Sequence, residues 1–286
     1  MASRALPSAR GISRIPFYLL LGAIGLVSLL PFLYMIANSL KTLGETITRV
    51  SANPFSSQFW PSRLQWSNFP QVLRDENMGH YFLNSVVISC ISVAGLLLTS
   101  SLAAYAFSKV KFVGKQAIFS ILVATLMVPE TVLLIPNFLI IARLGWINKL
   151  PALTVPFMAG AFYIFLLRQF FNQVPSALIE SARLEGAGQL GILMRIVIPL
   201  SSAPLFTVAF LAFSDSWNGL QWALVVTQTD RWRPITVGLA KFISEAGPQT
   251  QLRMAGAIIA LLPTVIVFIA AQRQITDAIS RTGLKA

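Results

Sequence analysis

Two acidic residues, Glu130 and Asp215, lie within otherwise apolar stretches of the sequence. An ionisable side chain at membrane depth is costly, and it is by default a functional hypothesis. Glu130 follows Pro129, where a helix is expected to break and expose backbone carbonyls to a cavity. Asp215 precedes Trp217 and Asn218, and an indole beside an amide can stack on and hydrogen-bond a saccharide ring. The alternative interpretation is structural: each acid pairs within the assembly, and Trp217 only packs.

A second group of interest lies in the segment 172–199, which reads NQVPSALIESARLEGAGQLGILMRIVIP. Pro175 suits the start of a helix because that position tolerates its missing N–H. The residues that follow are good helix formers, and Gly186 and Gly188 predict the end of the helix. The segment therefore predicts one short helix that is terminated by glycine.

This short helix combines charge with apolar residues. Glu180 and Arg183 are three residues apart and can pair on one face. Leu178, Ile179 and Ala182 form a small apolar patch on another. Such a helix is suited to insertion into a groove of a partner protein. The alternative is a connector whose apolar side lies on the bilayer surface.

The sequence has no motif for nucleotide binding, nucleophilic catalysis or metal binding. No G-x-x-x-x-G-K-[ST] sequence occurs, and Gly114-Lys115 has neither the upstream glycine nor the following hydroxyl residue. No G-x-S-x-G or H-E-x-x-H sequence is present. The single Cys90 and single His80 exclude a disulfide framework and a His- or Cys-based metal centre. We therefore predict no catalytic residue and no metal site.

The composition identifies the class of protein that must position these residues. Of 286 residues, 55% are hydrophobic and only 11% are charged, and the formal net charge is +12. Soluble domains carry about 25% charged residues, so a soluble fold is excluded, and so apolar a chain would not stay disordered. The basic residues are scattered without a run of five like charges, which argues against a nucleic-acid partner. The chain is predicted to be an integral membrane protein.

A helix needs about 20 mostly apolar residues to cross the bilayer core. Six segments satisfy this rule, and they predict an all-α membrane domain. They are residues 15–38, 82–107, 116–141, 150–171, 200–226 and 254–271.

Charge in the short loops predicts the orientation of these spans. The loop 108–115 holds Lys109, Lys111 and Lys115, and basic residues in short loops favour the cytoplasmic side. Residues 1–14 (with Arg4, Arg10 and Arg14) and residues 273–286 (with Arg273, Arg281 and Lys285) are then cytoplasmic tails. The transmembrane domain covers residues 15–272, with an external loop at 39–81 and a cytoplasmic loop at 172–199. The chain is thus predicted to be a multi-pass membrane protein with both termini in the cytoplasm, in contact with lipid.

The cytoplasmic loop resembles the EAA loop of ABC importer permeases. That pattern is E-A-A, three residues, G, nine residues and I-x-L-P. Here Glu180-Ser181-Ala182, Gly186 and Ile196 to Pro199 keep the spacing. Ser181 replaces an alanine, Glu185 stands where aspartate is common, and Ile198 replaces a leucine.

The resemblance extends along nearly the whole chain and is to the MalG-type permeases of carbohydrate importers. It rests on short matches in the expected order. They are Asn38-Ser39-Leu40-Lys41, Asn84-Ser85, Ala104-Tyr105-Ala106-Phe107, Met127-Val128-Pro129, Ile135-Pro136, Leu144-Gly145, Arg168-Gln169-Phe170, Trp217-Asn218, Leu262-Pro263 and Gly283-Leu284-Lys285.

The resemblance implies the plasma (inner) membrane of a bacterium or an archaeon, and a set of partners. A second, dissimilar permease of the MalF type, two cytoplasmic ATPases of the MalK type and an external solute-binding protein would complete an importer of a sugar-like solute. ATP and Mg would be used by the ATPases, and this chain would bind no cofactor and would not be an enzyme. The expected solute is a mono- or oligosaccharide, an amino sugar, a polyol or glycerol phosphate.

The resemblance also implies roles for the EAA residues. The helix would seat in a cleft of an ATPase and act as a coupling helix. Glu180 would be the polar contact, Leu178 and Ala182 the packing contacts and Gly186 the sharp turn, with Ser181 and Glu185 beside them. In the maltose-type family the sugar can be held mainly by the other permease, so the solute-pathway role of Glu130, Asp215, Trp217 and Asn218 stays an expectation from the residues themselves.

Three other functions remain as alternatives. One is an ABC permease for a solute other than a sugar. A second is an ion-coupled secondary transporter, which usually carries coupling acids or broken helices in paired halves. The third is an integral membrane enzyme, which the absence of a nucleophile sequence disfavours.

Overall fold

The computed structural model describes residues 15–48, 51, 53, 55–245 and 247–283. Side chains are described for all of these except residues 15, 245 and 273–283. Arg4, Arg10, Arg14 and Lys285, which the sequence places inside the cell, lie outside the described residues. Within the described ranges the regular structure is helical, without a strand, so the predicted all-α class is confirmed.

The helices are numbered in chain order. The first are α1 (Ile15–Ser39), α2 (Leu43–Thr48), α3 (Asn68–Asp75), α4 (Met78–Lys109) and α5 (Lys115–Ala124). The next are α6 (Leu134–Arg143), α7 (Leu150–Thr154), α8 (Ala161–Asn172), α9 (Ser176–Leu184) and α10 (Gln189–Ile192). The last are α11 (Ile198–Leu200), α12 (Ser202–Asn218), α13 (Gln221–Val226), α14 (Ile235–Glu245) and α15 (Thr250–Gly283).

Candidate membrane spans come in two kinds. Within the described residues three single helices are long and apolar enough to cross a bilayer, Pro16–Ser39, Met78–Lys109 and Thr250–Gln272. Three further candidates are bent pairs: Lys115–Met127 with Glu130–Arg143 at 90°, Leu150–Phe157 with Ala161–Asn172 at 41°, and Gln189–Leu200 with Ser202–Asn218 at 85°. Counting each bent pair as one span gives the predicted six.

Three of the six predicted spans, at residues 116–141, 150–171 and 200–226, are interrupted by bends and are not single straight helices. Proline lacks the N–H that continues a helix, and its ring disfavours the helical conformation of the residue before it. The first pair bends at Pro129, whose ψ of 132° is extended, as the sequence predicted for this position. The second bends before Gly160, which is also extended, and the third bends at Ser201, two residues after Pro199. Helix α12 then ends at Asn218, and α13 is separate.

The described residues divide between two compact units, which lie within residues 1–71 with 246–258 and within residues 72–245 with 259–286. In the first unit, Asn38 to Lys41 organise the loop that follows α1. The Lys41 Nζ is buried and donates to Asn38 Oδ1 at 3.1 Å and to the Gln58 carbonyl at 2.9 Å. Asn68 Nδ2 donates to the carbonyls of Ser39 and Lys41 at 2.7 and 2.9 Å. These contacts give the S-L-K stretch a structural role.

Glu45 fixes the start of α2 in the same unit. The Thr42 N–H donates to Glu45 Oε2 at 2.9 Å and the Glu45 N–H donates to Thr42 Oγ1 at 3.3 Å, which is a capping box. The Ser62 N–H donates to Glu45 Oε1 at 2.8 Å, and its hydroxyl donates there too. Burial alone raises the pKa of this carboxyl, but the hydrogen bonds outweigh it and lower the pKa to about 2. Glu45 is therefore ionised at neutral pH and joins α2 to the loop at Ser62.

Helix α4 is the central element of the second unit and packs against α8, α12 and α14. Gly95 lets α4 approach the bend before α8, because a Cβ there would collide with the Met158 side chain. At its first turns, Asn84 Nδ2 donates to the carbonyls of Arg231 and Arg233 at 3.1 and 3.0 Å. Ser85 Oγ accepts from the Ile235 N–H at 2.7 Å. Asn84-Ser85 thus anchor the start of α14.

Candidate functional site

Helix α9 has the predicted start and stop. Pro175 precedes its first residue. At its end the Gly186 N–H donates to the Arg183 carbonyl at 3.0 Å and the Ala187 N–H donates to the Ala182 carbonyl at 2.9 Å, a Schellman motif. Gly186 has a φ of +85°, which glycine adopts without strain. The glycine stop predicted from the sequence is confirmed.

The apolar residues of α9 divide between two faces. Ile179 and Ala182, at 4% and 8% exposure, pack into the core of the second unit. Leu178 is 44% exposed and Leu184 is 91% exposed. The predicted patch of Leu178, Ile179 and Ala182 is therefore corrected: Ala182 packs inside its own subunit, because residues three apart on a helix share a face and Ile179 is buried beside it.

The outer surface of α9 is polar with two leucines. Glu180, Ser181 and Glu185 are all exposed, as are Leu178 and Leu184. The exposed side of α9 thus combines two carboxylates with two leucines. Sequence reasoning missed Leu184, although its place directly before the glycine turn was the available signal.

Side chains from neighbouring helices hold the loop that carries α9. Lys109 Nζ at the end of α4 donates to the carbonyls of Asn172 and Val174 at 3.3 and 2.6 Å. Tyr105 Oη donates to Gln189 Oε1 at 2.8 Å. No ion pair joins Glu180 and Arg183 among the described residues; Arg183 Nη2 instead donates to the Lys109 carbonyl at 3.5 Å. The loop is thus tied to the end of α4 on both sides of α9.

One hydrophobic core connects α9 with the interior of the unit. Ile179 and Ala182 belong to the same cluster of buried residues as Leu96 of α4, Tyr163 of α8 and Ala212 of α12. Protein cores are close-packed and transmit displacement. Through this cluster α9 is packed into the same core as α4, α8 and α12.

The same three helices border a cavity of about 770 Å³. Leu96, Tyr163 and Ala212 line it, together with Glu130 and Asp215. The Tyr163 hydroxyl donates to Asp215 Oδ2. Both acids predicted from the sequence thus reach one cavity, although they come from different spans.

Asn218 also lines the cavity, but Trp217 does not. Trp217 is 1% exposed, its Nε1 donates to the Ala260 carbonyl at 2.9 Å, and its ring stacks on Phe213. The prediction that Trp217 stacks on a saccharide is therefore corrected in favour of packing. Trp217 and Asn218 face different directions because adjacent residues of a helix are rotated by about 100° around its axis.

Several cavity residues were missed by sequence reasoning. Trp222 lines the cavity, with its Nε1 donating to the Ala152 carbonyl at 2.8 Å, and Asn137, Tyr163 and Gln221 line it too. Asn137 lies seven residues after Glu130, and Trp222 lies four after Asn218. The first spacing places both residues on one side of the helical stretch Glu130–Arg143 and was an available signal. The break at Gly219 separates Trp222 from Asn218, so the second spacing was not. No group of three His, Cys, Asp or Glu residues gathers within the described part of the chain to hold a metal ion.

Comparisons with known proteins place this architecture in context. Residues 95–281 match the family described as "Binding-protein-dependent transport system inner membrane component". The chain is similar to the arabinooligosaccharide permease protein AraQ of Halalkalibacterium halodurans, at 29% identity over 92% of this chain and 93% of that one. It is 29% identical to the lactose permease protein LacG of Rhizobium radiobacter, over 90% of this chain and 91% of that one.

Two further similarities complete the comparison. The sn-glycerol-3-phosphate permease protein UgpE of Yersinia pestis is 34% identical over 68% of this chain and 70% of that one. A crystal structure of a bacterial ABC transporter that imports the acidic polysaccharide alginate superposes with a TM-score of 0.80 at 24% identity, covering 94% of this chain and 99% of that one. This structural likeness concerns the fold.

Proposed function

Because the chain belongs to the family of binding-protein-dependent transport system inner membrane components, we propose that it is the MalG-type permease subunit of an ATP-driven importer for a saccharide or related solute. The observation that supports this most directly is α9. Its outer surface is free to meet a partner, while its inner face is fixed in the core that reaches the cavity. Relatives named for arabinooligosaccharides, lactose and sn-glycerol-3-phosphate support the solute class.

The proposed importer contains a second permease, two cytoplasmic ATPases and an external solute-binding protein. ATP and Mg act in the ATPases, and this chain binds no cofactor and is not itself an enzyme. Closure of the ATPases on nucleotide moves α9, and the shared core carries that movement to α4, α8 and α12. This is a rigid-body switch between two states that nucleotide biases.

The contact between α9 and an ATPase is tested by Glu180→Ala. Truncating one partner of a buried charge pair at an interface costs about 2–5 kcal/mol, so we expect at least a tenfold loss of ATP-dependent uptake. The chain should still insert and fold, because Glu180 is exposed within the subunit. The measurements are the rate of ATP-dependent uptake and the ratio of solute uptake to ATP hydrolysis, in vesicles that contain the complete importer.

The matched control is Asp75→Ala, which removes an exposed carboxylate at the end of α3. We expect its uptake to equal that of the wild type. Unchanged coupling in both variants would remove Glu180 from the interface.

We also propose that both termini are cytoplasmic and that residues 15–272 form the transmembrane domain, with 39–81 outside and 172–199 inside. The lysines of the loop 108–115 support this orientation. In a chain without Cys90, a cysteine at Val113, which is 99% exposed, should react with an impermeant maleimide only from the cytoplasmic side. A cysteine at Phe55, which is 96% exposed, should react only from outside. The reverse pattern would contradict the orientation.

A further inference from the structure

The cavity of the second unit carries charge of one sign. Glu130 and Asp215 contribute carboxyl groups to its wall, and no Lys, Arg or His is among the described residues that line it. The chain as a whole is strongly basic, with a formal net charge of +12. The sign of the cavity is therefore opposite to the net charge of the chain as a whole.

The remaining polar groups suit hydroxyl-rich ligands. Asn137, Asn218 and Gln221 bring amides that both donate and accept hydrogen bonds, and Trp222 brings an aromatic surface. Apolar walls with a few convergent polar groups and an aromatic surface are typical of small-molecule sites.

We propose that this cavity is the subunit's own part of the solute pathway and that it admits uncharged saccharides while rejecting anionic ones such as uronates and sugar phosphates. The inference rests on the proposed function. The carboxyl groups of Glu130 and Asp215 accept hydrogen bonds from sugar hydroxyls but repel a carboxylate or phosphate. Relatives named for lactose and for sn-glycerol-3-phosphate show that family membership alone does not decide the charge of the solute.

The sign of the cavity can be measured without knowing the solute. In the purified importer, with Cys90 replaced by serine, Asn218→Cys is modified with two methanethiosulfonate reagents, one cationic (trimethylammonium-ethyl) and one anionic (sulfonato-ethyl). A cleft lined by charge of one sign raises the local concentration of the opposite charge by about 10- to 1,000-fold. We expect the cationic reagent to be favoured at least tenfold beyond its preference for a free thiol in solution, and mass spectrometry of this chain gives the rates.

Neutralising the two acids supplies the control. Asp215→Asn keeps an acceptor for the Tyr163 hydroxyl, and Glu130→Gln keeps the length of the side chain. In this background we expect the reagent preference to fall to that of the free thiol. Ser216→Cys, which also lines the cavity, gives a second reporter if the variant at 218 does not assemble. An unchanged preference, or one for the anionic reagent, would overturn the proposal.

Uptake separates this inference from the proposed function. Vesicles that carry the importer and its binding protein are tested with neutral raffinose and arabinotriose and with anionic trigalacturonate and glycerol 3-phosphate. Uptake confined to the neutral compounds supports the inference, and comparable uptake of an anionic compound overturns it. Uptake of none contradicts the saccharide function, and the reagent preference then decides the charge selectivity of the cavity by itself.

Discussion

The Gly186→Pro variant is expected to lose ATP-dependent uptake almost entirely, whereas Gly186→Asn should retain most of it. Gly186 has a φ of +85° and its N–H closes the Schellman motif at the end of α9. Proline fixes φ near −65° and has no N–H, so the turn must rearrange and α9 must change direction. Asparagine adopts the left-handed conformation at a cost well below that of other residues.

Steric hindrance of a Cβ does not explain the expected loss of uptake, because a Cβ at Gly186 would meet no heavy atom within 4 Å. The difference between the two variants therefore reports the backbone conformation at residue 186 together with the loss of its N–H hydrogen bond. Uptake and ATP hydrolysis are measured in vesicles. Recovery of the assembled importer with each variant shows that the variant chain inserts. Equal uptake by the two variants would show that the direction of α9 does not matter for coupling.

The Trp217→Ala variant is expected to destabilise the importer strongly without changing which solutes it carries. Trp217 is buried, stacks on Phe213 and packs edge-on against Phe82 at a centroid distance of 5.5 Å. Truncating a buried tryptophan to alanine costs about 3–5 kcal/mol because the neighbours cannot fill the space. Thermal unfolding of the purified importer should then begin on the order of 10 °C lower.

Trp217→Phe is the matched control for this position. It keeps an aromatic ring between Phe82 and Phe213 and loses the indole N–H that donates to the Ala260 carbonyl. A single hydrogen bond contributes about 1 kcal/mol, so the loss of stability should be far smaller. A change of solute preference in either variant, at unchanged stability, would return Trp217 to the solute pathway.

Local chemistry made part of this architecture predictable. Pro129 predicted a broken helix beside Glu130, and Gly186 predicted the end of α9, because each residue restricts or permits its own backbone conformation. The apolar segments predicted six spans because bilayer thickness fixes their length. Each of these predictions depends on residues that are close together in the sequence.

Which side chains are buried and which line the cavity could not be predicted, because this depends on packing between segments that are distant in the sequence. Both Ala182 and Leu184 are apolar, and only contact with the core of α4, α8 and α12 decides that Ala182 is inside and Leu184 outside. The sequence likewise does not say which of Trp217 and Trp222 reaches the cavity. The chain breaks at Gly219 between α12 and α13, and only Trp222 lines the cavity.

Leu96, Tyr163 and Ala212 serve at once as wall of the cavity and as part of the packing beneath α9. Evolution toward a larger or differently shaped solute is therefore constrained at this wall. Each substitution there also changes the packing of α9, which is the proposed contact with the ATPases. A variant that transports a wider range of solutes should hydrolyse more ATP per solute molecule. Selection for the original ratio should then yield compensating substitutions near Ile179 rather than in the ATPases.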